Sequence, residues 1–234
     1  AAKAAMRYGM VVYQDKDKTV KPEQVTFSSH VVVLVHGLDE PGYLWLDVIP
    51  HLLAANVTVV EFLYPNDQSI EASADSFAEH LAQLHALGVD RLTLVSHSMG
   101  GLVCRWVLTD PDVYNGRGSD HAALPDVSRL IMIATPNHGS HMAQLRLFSE
   151  ARDRITRALS GEGLLFGAIF DGAGEAKVDL LPDSRFLNQL NARPHPEGVA
   201  MTIIAGKASP ISRNKLDCLA DMLRPHLSDA VDEK

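Results

Sequence analysis

A serine stands where a run of apolar, β-branched residues gives way abruptly to a helical pattern, in Leu92-Thr93-Leu94-Val95-Ser96-His97-Ser98-Met99-Gly100-Gly101-Leu102. On a sharp strand-to-helix turn the hydroxyl of Ser98 would stand above the sheet edge, and the N–H of Met99 would face the same space. That placement suits a nucleophile attacking a carbonyl. Small residues must flank it because the turn crowds the neighbouring backbone. Gly100 and Gly101 meet that need, while Ser96 occupies the position two before the serine where Gly is usual, a mild departure that adds some strain. Ser98 could instead simply N-cap the following helix, as Ser often does. A bare Ser-x-Gly would favour the cap, but the preceding buried strand and a second feature upstream favour the nucleophile.

That second feature is His36-Gly37-Leu38, at the end of the run Val31 to Val35. Gly37 lets backbone approach a reacting carbonyl closely. The N–H groups of Leu38 and Met99 would then form an oxyanion hole, each donor contributing on the order of 3 kcal/mol to the transition state. The His36 side chain is read as shaping this loop, with no part in proton transfer.

These residues need a scaffold, and the chain supplies an alternating one. Val31 to Val35, Val57 to Phe62, Leu92 to Ser96, Leu130 to Ala134 and Met201 to Ala205 are short continuous apolar runs, as expected for parallel strands covered on both faces. Ile70, Ala74, Phe77, Leu81 and Leu84 recur at helical spacing and end near Gly88; Leu102, Val103, Trp106 and Val107 mark a second helix. The expectation is an α/β fold with a mostly parallel sheet and helices on both faces, in a single domain over residues 1–234. Met10 to Tyr13 suggests one further short strand, and Gln14 to Glu23 reads as turn or loop. Residues 137–198 are too long a connection to be structureless. They hold helical material around Met142 to Leu159, an apolar patch from Leu164 to Phe170, and Gly-rich turns at 161–163 and 172–174.

Three motifs in order, Val35-His36-Gly37-Leu38, Ser96-His97-Ser98-Met99-Gly100-Gly101-Leu102 and Ala134-Thr135-Pro136-Asn137-His138-Gly139-Ser140, resemble the lipase and esterase branch of the α/β-hydrolase superfamily. The resemblance runs over roughly residues 30 to 206. It implies the α/β-hydrolase fold, with 137–198 as a cap or lid-like insertion. Phe166 to Phe170 would then be either a lid surface in transient contact with a membrane or lipid surface, or the buried face of a cap helix. His138 and His141 follow a strand end, where they line a pocket or stand in water.

The resemblance also implies the order serine, acid, histidine, and here the pattern departs. Gly206-Lys207-Ala208-Ser209-Pro210 after the last strand contains no carboxylate. Asp217 and Asp221 fall in a stretch that reads as helical from Asn214 to Met222, and His226, the only later histidine, follows just after it. His226 is a weak base candidate beside Pro225, and His30, His51, His80, His85, His121 and His195 precede the needed position or sit on polar faces. The expectation is that the C-terminal part is missing, with acid and base beyond Lys234 and the chain as given catalytically incomplete.

Composition narrows the function classes. The chain of 234 residues is 46 % hydrophobic and carries 21 Lys and Arg against 29 Asp and Glu, a formal charge of -8. No basic stripe exists to hold a phosphate backbone, so nucleic acid is not an expected partner. Cys104 and Cys218 are far apart, and Cys104 lies in an apolar helical pattern as a buried thiol. No run of about 18 apolar residues occurs. The start at Ala1-Ala2-Lys3 lets processing have removed a targeting segment, so a soluble protein, cytoplasmic or exported after processing, fits.

The expected function is therefore cleavage of carboxylic esters, small-molecule or lipid, through an acyl-enzyme on Ser98, as in a lipase or esterase. No cofactor and no metal are called for. An acyltransferase using the same nucleophile is the alternative within enzymes, and a non-catalytic hydrolase-like binding domain the alternative outside them. Oligomeric state, acyl-chain length and alcohol preference are not written in these residues.

Overall fold

A computed structural model of the chain describes residues 8–28, 31–38, 44–65, 68–114, 123–140 and 175–206. The chain divides into two compact units, Ala1–Ile204 and Ala205–Lys234. The sheet and its cores belong to the first.

The strand β3 (Val31–Val35) is buried along its whole length, and its alternating side chains feed two separate cores. Val31, Val33 and Val35 enter the larger one with Val60 and Phe62 of β4 (Thr58–Leu63), the buried stripe of α2 (Ile70–Ala86), Leu92 and Leu94 of β5 (Arg91–His97), and α3 (Met99–Leu108). Val32 and Leu34 enter the smaller one with Trp45, Val59 and Ile49 of α1 (Ile49–Ala54). One strand thus requires helices on both faces of the sheet.

The buried stripe of α2 contains Ile70, Ala74, Phe77, Leu81 and Leu84, the positions its spacing predicts. Ser69 caps the helix, its Oγ accepting from the Ala72 N–H at 3.2 Å, and the Ile70 N–H donates to the Asp179 carboxylate at 2.9 Å. Gly88, at φ 90°, takes the left-handed turn that ends it.

The sheet has seven strands in the order β2-β1-β4-β3-β5-β6-β7, with β6 at Asp126–Ile133 and β7 at Ala200–Ile204. From β4 to β7 the neighbours are parallel, and β1 (Gly9–Asp15) runs antiparallel to β4 and to β2 (Lys18–Val20). The mostly parallel α/β architecture is as expected.

Several boundaries differ. Gln14 to Glu23 is not merely loop: β1 runs on to Asp15, a turn follows, and β2 and a 3-10 turn (Pro22–Gln24) complete it. Because β2 is an exposed edge, it shows no apolar alternation. β6 starts four residues before Leu130, where only Val127 points inward strongly. β7, expected as a buried strand, is the edge strand opposite β2 among the described residues, with Ile203 and Ile204 more than half exposed.

In the long connection, two helices are described, α4 (Glu175–Asp179) and α5 (Arg185–Ala192). The segments Met142 to Leu159 and Leu164 to Phe170, the Gly-rich turns, Cys218 and the helical stretch 214–222 lie outside the described residues.

The Phe77 ring is fully buried between the sheet and α2 and packs on Phe62 at 5.0 Å. Phe77→Ala is expected to cost about 3–5 kcal/mol, read as a lowered urea midpoint with unchanged slope.

Candidate functional site

Strand order, not sequence proximity, assembles the site. The chain runs from β3 outward to β4 and then crosses back to β5 on the other side of β3, so β3 and β5 flank the point where the order reverses. Open α/β sheets bind ligands at the carboxyl ends of strands flanking such a point. The parallel register pairs Val35 with Ser96 and His97 with Ile133. Three adjacent strands therefore release His36-Gly37-Leu38, Ser98 and Ala134-Thr135-Pro136 along one edge.

Ser98 joins β5 to α3 with φ 49° and ψ -126°, a backbone conformation that L-residues rarely adopt. It occupies the N-cap position but makes no side-chain capping bond, so a simple capping role does not account for it. Its N–H donates to the Ile133 carbonyl at 2.9 Å and its carbonyl accepts from the Gly101 N–H at 3.1 Å. Ser96, the departure from Gly, lies within β5, fully buried, with its Oγ donating to the Ile131 carbonyl at 3.1 Å. The hydroxyl is satisfied, and φ at Ser96 is not positive. No left-handed backbone strain falls on Ser96 itself.

The two glycines after Ser98 allow three segments to touch. A Cβ at Gly100 would overlap the carbonyl oxygens of His36 and Val35, and one at Gly101 would overlap the Thr135 side chain. Gly139, at φ 88°, packs in the same way on the backbone of Pro182.

Leu38 is half-buried against the larger core, and the Met99 side chain is fully buried. Among the described residues no hydrogen bond occupies the N–H of either. Behind Leu38, the His36 ring is buried and stacks on Tyr64 at 4.4 Å, its Nδ1 2.9 Å from the Gly37 carbonyl. The Tyr64 hydroxyl donates to the His36 carbonyl at 2.7 Å.

Two residues that the sequence did not single out hold this edge together. One is Tyr64. The other is Arg105 on α3, 8 % exposed, whose Nη1 donates to Asn137 Oδ1 at 2.8 Å and Nη2 to Asn191 Oδ1 at 3.0 Å. Asn191 Nδ2 in turn donates to the Asn137 carbonyl at 2.9 Å. Burial pushes the Arg105 guanidinium pKa down. A lone arginine in an otherwise apolar helix was the available signal. Cys104 beside it is a buried free thiol, as expected, and burial pushes its pKa up.

The histidines divide plainly. His138 is exposed in the loop after β6, while His141 and His226 lie outside the described residues. His195 lines a groove of about 610 Å³ with Leu108 and Asp110, at the end of α3 opposite Ser98 and roughly 15 Å along the helix. His80 and His85 have Nδ1 against the carbonyls of Ser76 and Val89. No acid or base for Ser98 is assigned among the described residues.

The model of the alpha/beta hydrolase family matches residues 32–231, and the chain belongs to that family. Its fold is similar to Bacillus licheniformis lipase BlEst2 in mature form, at 20 % identity and TM-score 0.54, covering 83 % of this chain and 73 % of that one. For the propeptide form the values are 17 % and 0.59, over 87 % and 40 %. Phospholipase PlaB from Legionella pneumophila is similar at 22 % identity and TM-score 0.53, over 83 % and 42 %. This chain thus spans less than half the length of the last two. No curated protein matches it in sequence. Among the described residues no helix is long and apolar enough to cross a membrane.

Gly100→Ala forces Cβ into two backbone carbonyls that cannot swing aside. It is expected to lower stability by about 1–3 kcal/mol, measured by denaturant unfolding, whereas Gly88→Ala, with open space around its Cβ, meets only its backbone strain.

Proposed function

We propose that the chain hydrolyses carboxylic esters, small-molecule or lipid, as a serine hydrolase of the lipase or esterase type. The observation that carries this reading is the Ser98 backbone, held at positive φ between a strand and a helix with its hydroxyl uncommitted to capping. A strained turn of this kind is expected where a nucleophile must stand clear of the sheet.

In the reaction, Ser98 Oγ attacks the ester carbonyl and gives its proton to a histidine base. The carbonyl oxygen becomes an oxyanion that accepts hydrogen bonds from the Leu38 and Met99 N–H groups. Collapse expels the alcohol, which takes the proton from the base and leaves an acyl group on Ser98. Water attacks that acyl-enzyme by the same route and releases the carboxylic acid. The base and the acid that orients it are not assigned to any described residue. Both oxyanion donors belong to the backbone, so they need no reorganisation as charge develops, and each contributes on the order of 3 kcal/mol.

Intact-mass labelling with a fluorophosphonate tests the proposal. In a protein that includes the histidine base, one adduct is expected, absent in Ser98→Ala, and hydrolysis of 4-nitrophenyl butyrate should fall about a thousandfold or more in that variant. With that base present, a folded protein that stays unlabelled, or an adduct that persists without Ser98, contradicts it.

A further inference from the structure

The carbonyl of Gly37 and the N–H of Leu38 are the two ends of one planar peptide and, in the trans form found here, point in opposite directions. Whatever holds the Gly37 oxygen therefore aims the Leu38 N–H. His36 Nδ1 lies 2.9 Å from that oxygen. A carbonyl can only accept, so Nδ1 carries a hydrogen and donates it. This bond adds a restraint on the peptide that Gly37, having no Cβ to resist rotation, does not itself supply. A flipped peptide would present a carbonyl where the reaction needs a donor.

His36 is itself fixed from two sides. The Tyr64 hydroxyl donates to the His36 carbonyl at 2.7 Å, and the two rings stack at 4.4 Å with 22° between their planes. Phe62 backs the Tyr64 ring at 4.9 Å, nearly parallel to it. On the other side, Gly100 leaves room for the His36 carbonyl. His36 and Tyr64 are both at least 95 % buried, where hydrogen bonds are strengthened by the low local dielectric.

The geometry points to Tyr64 and His36 as positioning residues, a latch that sets the Gly37–Leu38 peptide so that the Leu38 N–H serves as an oxyanion donor. The inference rests on the assignment of Ser98 and Leu38 given above. It predicts a selective loss: substrate binding is left intact while the transition state loses one donor.

The test compares Tyr64→Phe, His36→Leu and His36→Asn in the full chain, with hydrolysis of a 4-nitrophenyl ester normalised to fluorophosphonate-titrated sites. Tyr64→Phe and His36→Leu are each expected to lower kcat about 10- to 100-fold with KM nearly unchanged. Inhibition by a trifluoromethyl ketone, which forms a tetrahedral oxyanion, should weaken by the same factor. The double variant should be no worse than the poorer single one, since both act on one peptide. His36→Asn keeps an N–H near the Nδ1 position and should recover activity to within about threefold.

A crystal structure of His36→Leu gives a readout independent of turnover. The Gly37–Leu38 peptide should rotate or show two orientations. An unchanged single orientation, unaltered kcat per titrated site, or equal effects on kcat and KM would overturn the latch while leaving Ser98 in place. Wild-type hydrolysis by Ser98→Ala would instead remove the nucleophile assignment, and the latch with it.

Discussion

Ser98 is held in a backbone conformation that its side chain disfavours, and much of the described architecture can be understood as what keeps it there. A non-glycine residue in such a region costs about 1–3 kcal/mol and persists only where its surroundings over-determine it. Here they do. β5 enters the turn paired on both sides, with β3 and β6, and α3 leaves it with nearly every side chain buried. The Ser98 N–H is bonded to β6 and its carbonyl to the first turn of α3. Relaxing φ at Ser98 would require breaking these bonds or sliding a packed helix. Ala134, at φ 52° on the same edge, is a second strained residue, and its N–H is likewise bonded across the sheet, to Ile204.

The strain is useful only if neighbouring segments close around the serine, and that closeness is set by absent side chains. Gly100 admits the carbonyls of β3 and of His36, and Gly101 admits Thr135. Beyond them, the buried Arg105 ties α3 to the loop after β6 and to α5 through two asparagine oxygens. Removing the guanidinium would break both bonds at once, loosening the tie between α3, the half-buried Asn137 and the exposed Asn191. Helix α3, the loop after β6 and the segment His36-Gly37-Leu38 are thus one packed unit.

Much of this was legible in the sequence. The run Val31 to Val35 announced a strand buried on both faces, and the spacing of Ile70 to Leu84 announced α2 and its buried stripe. The three motifs fall on adjacent strands because parallel α/β topology brings strand ends to one edge. What was not legible depends on contacts between distant residues. Tyr64 meets His36 across 28 positions, and Arg105 meets Asn191 across 86, so neither pairing leaves a local pattern. β2 was missed because an exposed edge strand of Lys18-Thr19-Val20 carries no apolar alternation. α1 was missed because six residues beginning Ile49-Pro50 are too few to show a period.

Through Ser98 and the Leu38 and Met99 N–H groups, the backbone is proposed to build a site for a tetrahedral oxyanion. A crystal structure of the chain after reaction with a phosphonate ester, which leaves a tetrahedral phosphorus on the nucleophile, tests it most directly. Phosphorus is expected bonded to Ser98 Oγ, with a phosphoryl oxygen within about 2.7–3.1 Å of both backbone nitrogens. An adduct on another residue, or a Ser98 adduct whose phosphoryl oxygen points away from Leu38 and Met99, would contradict it.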